Sequence, residues 1–154
     1  MLLPSVDAQR YRNPEQYLRA FSNENRKINK KNFLYLEASL KGKDERRVQK
    51  YREMVIDQLK DSRREIERVG TYEDYDILQR EYIDGLTLFI DAYENDFGIA
   101  QELKDSMYTS YNNLRKYYDA VTQAEGEMLD ASYKLEKAED HFAKMNYLTL
   151  ERDE

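Results

Sequence analysis

The sequence predicts an all-α fold, an antiparallel four-helix bundle with short loops. Three observations carry this. From about Ser110 to Leu148 every seventh residue is large and apolar: Leu114, Val121, Met128, Leu135 and Phe142. Three positions on runs a second column, Tyr117, Ala124, Ala131, Ala138 and Met145. Together they form an unbroken heptad seam, the mark of a helix packed on other helices, and the alanines let a partner helix approach closely. Turn punctuation is sparse, with two Pro and five Gly in 154 residues, too little for a β-rich or α/β chain. Finally, 40% apolar and 12% aromatic residues give the chain enough to bury despite 36% charged residues. The 14 tyrosines suit a narrow bundle, because the ring can enter the core while the hydroxyl reaches water or a partner.

Residues 1–12 precede the first helix as an arm or signal remnant. Leu2-Leu3 could end an apolar signal core, and Val6 and Ala8 are small residues at −3 and −1 before Gln9. The first helix is expected over 14–41. Asn13 serves as N-cap, Pro14 fits the first turn, Gln16 can close a capping box and Gly42 stops the helix. Its column Phe21, Ile28, Tyr35 is apolar, whereas Leu18, Asn25, Asn32, Ser39 is largely polar. A seam asparagine fixes register. The functional alternative makes Asn25 and Asn32 part of a polar pocket for a small molecule.

A second helix over 44–69 starts at Asp44 and ends before Gly70, with an apolar face of Val48, Tyr51, Val55, Leu59, Ile66 and Val69. The short connection makes these two helices antiparallel neighbours. The third is expected over 72–106, starting at Thr71 with Asp74 as capping partner. Its apolar steps (Tyr75, Leu78, Tyr82, Leu86, Phe89, Tyr93, Phe97, Ala100) carry past Gly98. The turn then falls in 105–109, and the fourth helix covers 110–148. A turn at 95–98 would instead leave a last helix of some 50 residues, about 75 Å, with half its seam unpartnered. Residues 149–154 form a frayed tail. The third and fourth helices thus come out longer than the first two, and one end of their hairpin should expose part of its seam. Tyr108 and Tyr111, or His141, Phe142, Met145 and Tyr147, are the expected partner surface.

Net charge is −6, unevenly spread. Gln9 to Gly70 carries 17 Lys+Arg against 10 Asp+Glu, whereas Thr71 to Glu154 carries 8 against 20. A basic half packed on an acidic half explains this. The alternative is an anion-binding patch at the first turn, Lys41, Lys43, Arg46, Arg47 and Lys50, through which a cytosolic module would bind nucleic acid or another polyanion. Asp44 and Glu45 interrupt the patch, and no aromatics interleave for base stacking. Nucleic acid is therefore not the expected partner.

Most catalytic templates find no material here. The chain has no cysteine and one histidine, His141, read as a helix-surface residue. A di-iron bundle needs Glu-x-x-His twice, but position 138 is alanine. There is no phosphate-binding glycine loop. No apolar run approaches the roughly 20 residues of a membrane-spanning helix. The expectation is a non-enzyme without metal or cofactor.

Several short pieces carry a resemblance: Asn13-Pro14 with Tyr17, Glu24 with Lys27-Ile28, Tyr93-Glu94-Asn95-Asp96, Ala124-Glu125, and Phe142-Ala143-Lys144 with Asn146. In these the chain resembles a family of secreted or surface-located bacterial helical proteins of unknown function. The resemblance implies an exported four-helix protein with a structural or protein-interaction role in the envelope, and brings no catalytic residues. Family members usually carry a full export signal, often a lipoprotein one. This chain shows at most the end of a signal and no lipid-accepting cysteine.

Overall fold

The computed structural model describes residues 11–42 and 44–150. The expectations for residues 1–10, for Lys43 and for 151–154 lie outside the described residues. Among the described residues the chain is all-helical, and four helices share one apolar core. They are α1 (Pro14–Leu40), α2 (Glu45–Val69), a third helix built in three parts, and a last one, α5 (Tyr111–Met145). The three parts are α3 (Ile77–Asp91), a π-helical turn (Ala92–Asp96) and α4 (Phe97–Leu103).

The starts follow local chemistry. The Asn13 side chain accepts from the Gln16 amide at 2.8 Å, Asp44 from the Arg46 amide at 3.0 Å, and Ser110 from the Asn113 amide at 3.1 Å. Each satisfies a first-turn N–H that has no helical partner. The first two helices match their expected bounds closely.

The third does not. It begins at Ile77, five residues after the expected start, because residues 71–76 form a tight turn. Gly70 takes φ 73°, Glu73 sits at φ 54°, and Tyr72 and Tyr75 exchange backbone hydrogen bonds of 3.3 and 2.9 Å. The turn delivers both rings to the core, with Tyr72 and Tyr75 lying 5.9 and 5.5 Å from the Phe142 ring. That packing outweighs the capping signal of Thr71 and Asp74. At the other end the helix stops at Leu103 and the turn occupies 104–109. The segment 95–98, the other place a turn was conceivable, is helical throughout. With parts of 15, 5 and 7 residues, the third helix is no longer than the 27-residue α1, so only α5, at 35 residues, exceeds the first two.

The π turn has a visible partner. Arg52 reaches from α2 and donates to the Tyr93 carbonyl at 2.7 Å. Its guanidinium lies over Gly98, where a Cβ would stand 3.2 Å from Nη1. A side chain entering a widened helical turn is a recurrent cause of such bulges.

α1 and α2 are joined by a polar lock that sequence reasoning left unnoticed. Glu24, buried at 4% exposure, accepts from Ser62 at 2.6 Å and from Lys27 at 2.6 Å, and Gln58 donates to Ser62 at 3.0 Å. Every oxygen of the buried carboxylate is thereby engaged, the condition under which a buried charge is tolerated.

The alanine column does what its spacing predicts. Ala124, Ala131 and Ala138 are buried, and α3 approaches α5 so closely that a Cβ on Gly85 would stand 2.8 Å from Leu135 Cδ2. Gly126 on the outer side has nothing within 4 Å. We expect Gly85→Val to destabilise by about 1–3 kcal/mol through overpacking. Gly126→Ala should stabilise by up to about 1 kcal/mol through helix propensity. Urea denaturation of the two variants checks both signs.

Candidate partner-binding groove

α1 packs on α2, α2 on α3, and α3 and α4 on α5, whereas α1 and α5 do not pack on each other along their length. They meet at one end. There the Tyr17 and Phe142 rings lie 5.3 Å apart, and Asn25 Nδ2 reaches Glu139 Oε1 at 3.5 Å. The same Asn25 amide donates to the Tyr82 hydroxyl at 2.8 Å, and Tyr82 in turn donates to Glu139. Burial, with the Glu139 carboxylate beside it, holds the Tyr82 phenol well above its usual pKa.

Beyond that level the two helices enclose a groove. Its first cavity, about 240 Å³, is lined by Asn25, Asn32, Phe89, Met128 and Glu136 among others. Asn32 accepts from the buried Tyr93 hydroxyl. Asn25 and Asn32 are therefore half-buried groove residues, each tied to a tyrosine of the third helix. The second cavity, also about 240 Å³, has Val48, Phe97 and Ala100 in its lining, with Leu36 and Leu40 from α1 and Tyr117 and Val121 from α5.

The lips of this groove carry apolar residues in water. On α1, Phe33, Leu36 and Leu40 are 66, 42 and 86% exposed. On α5, Tyr118 and Leu129 are 58 and 72% exposed. At 3.6 residues per turn these two fall within about 20° of one another, on the side of α5 that also bears Glu125 and Glu136; both glutamates line the groove.

The other expected site residues scatter. Tyr108 and Tyr111 are exposed at one end of α5, and Met145 and Tyr147 at the other, so they form no single patch. Phe142 is a correction. It is fully buried at 0% exposure, ringed by Tyr17, Tyr72 and Tyr75, because the 71–76 turn covers it. His141 is exposed, with Nδ1 2.5 Å from the Tyr75 hydroxyl and its ring stacked on that tyrosine. Lys41, Arg46, Arg47 and Lys50 are all exposed, and Lys41 pairs with Glu37 at 2.5 Å. Lys43, the remaining member of that patch, lies outside the described residues.

One cluster had no sequence signal. Carboxylate oxygens of Asp91, Asp96 and Glu127 lie within 4.8 Å of one another. Burial, and then the neighbouring Asp96 and Asp91, raise the Glu127 carboxyl. In an α-helix residues five apart point about 140° away from each other, so Asp91 and Asp96 share a face only because the π turn lies between them.

Among the described residues no helix is long and apolar enough to cross a membrane. No family model, curated protein or solved structure matches the chain.

Proposed function

We propose that this is a non-catalytic interaction protein, an antiparallel four-helix bundle whose α1–α5 groove receives an apolar partner segment. The observation that carries this is the concentration of exposed Phe, Leu and Tyr on both lips of one groove. Soluble chains seldom leave such contiguous apolar surface uncovered, and tyrosine is enriched where partners dock. The antiparallel order is supported by side-chain pairs that descend one helix as they climb the next. Tyr17 pairs with Gly70 and Glu24 with Ser62; Gln79 pairs with Ile66 and Arg63 with Thr87; Tyr75 pairs with His141 and Tyr82 with Glu139. A bacterial-envelope location rests on the Met1–Ala8 pattern and the family resemblance. A native N-terminus at Gln9 in an envelope or extracellular fraction supports that location, and an intact Met1 in the cytosol removes it.

The groove itself is tested with a photo-crosslinking amino acid at Leu36, and at Arg64 on exposed α2 as control. Adducts of defined mass from Leu36 and none from Arg64 are expected. Equal labelling, or no adduct from Leu36 in native cells, overturns the reading.

A further inference from the structure

The two helices that border the groove mouth expose opposite charge. Beside the apolar lip α1 exposes Arg26 and Lys30, with Glu37, between Phe33 and Leu40, paired to Lys41 at 2.5 Å, while α5 contributes the exposed carboxylates Glu125 and Glu136. An ordinary helical ligand would match one wall and oppose the other. A second copy of this chain carries both walls and can match each with its complement.

The heights agree as well. Tyr17 on α1 and Phe142 on α5 lie at one level, with ring centroids 5.3 Å apart. Stepping along both helices away from that pair, residue for residue, brings Leu40 beside Tyr118. It brings Phe33 within a turn of Leu129, and Arg26 within a turn of Glu136. A two-fold axis running along the groove preserves height and exchanges the lips. It sets Leu40 and Phe33 of one copy against Tyr118 and Leu129 of the other, twice over, with Arg26 facing Glu136. A two-fold axis across the groove would reverse height and bring helices of like charge together, α1 on α1 and α5 on α5, which is costly.

We propose that the chain forms a symmetric dimer through the α1–α5 groove, α1 of each copy seated on α5 of the other. Such an interface is isologous, with both halves identical, as is usual for closed dimers. This rests on the groove being a partner surface, and it goes further by committing to the partner.

The test uses two double variants of exposed residues, Phe33→Lys with Leu40→Lys, and Tyr118→Glu with Leu129→Glu. Sedimentation across a concentration series reads the mass, and circular dichroism verifies that each variant keeps the wild-type helical melt. Wild type is expected at twice its 18.5 kDa. Each variant alone should dissociate, with Kd raised about 100-fold or more, the equivalent of two lost apolar contacts per half. An equal mixture should re-form a dimer, because lysine lips then meet glutamate lips in one half and unaltered lips meet in the other. Only the α1-on-α5 arrangement gives that rescue. A wild type that stays monomeric at high concentration, or a mixture that stays dissociated, overturns the proposal. Leu36 adducts at a mass other than the dimer would also overturn it while leaving the groove as a partner surface.

Discussion

Between pH 10 and 12 the protein should lose most of its stability. Tyr17, Tyr35, Tyr82 and Tyr93 are buried, and burial is the main cause that lifts each phenol above its usual pKa, Tyr35 to about 12 and the other three further. The direction follows from proton counting. An unfolded tyrosine releases its proton near 10, whereas the folded protein retains it to higher pH. Over that interval the unfolded state binds fewer protons, so stability is complete below pH 10 and falls as pH rises through the folded pKa values. Each group contributes roughly 1.4 kcal/mol per pH unit, and four acting together contribute about 5. Total stabilities run about 5–15 kcal/mol, so unfolding is expected by about pH 11.5. Urea midpoints followed from pH 8 upward, with tyrosinate absorbance in parallel, read the effect. A midpoint unchanged to pH 11 would show that these phenols titrate normally in the fold.

Phe142→Ala should cost about 3–5 kcal/mol, the usual loss for emptying a fully buried aromatic site. Three tyrosine rings contact Phe142 within 6 Å, and two of them belong to the 71–76 segment. The substitution therefore loosens that turn as well as the core. Met145→Ala and Tyr147→Ala are the matched controls. Both side chains are more than half exposed, and each change should stay within about 0.5 kcal/mol. Comparable losses in all three variants would contradict the division of this end into core and surface.

Much of the architecture was legible because helical periodicity and capping are local signals. Asn13, Asp44 and Ser110 stand where a first-turn N–H needs an acceptor, and the alanine column announces close packing. What escaped the sequence was non-local. Residues 71–76 carry a respectable helix start, and only the rings they deliver to Phe142 explain why a turn forms instead. The same turn inverts the reading of Phe142, which in sequence is simply the last large residue of a seam. The 92–96 segment keeps an apolar step of three or four residues, so its π turn is silent until Arg52 arrives from α2. With it went any chance of seeing Asp91, Asp96 and Glu127 together. Asn25 and Asn32 were identifiable as polar intrusions, but their tyrosine partners lie far away in the chain. The groove lips were hidden for a different reason. Phe33, Leu36 and Leu40 look like ordinary helix residues until it is known which flank of α1 lacks a neighbour.

The meeting of α1 and α5 at Tyr17 and Phe142 makes that ring contact a fulcrum. From Tyr17 to Leu40 the arm is about 35 Å at 1.5 Å per residue. A tilt of about 10° at the fulcrum sweeps Leu40 through about 6 Å, more than half the diameter of a helix with its side chains. The aperture at the far end is thus geared to any tilt at the near one.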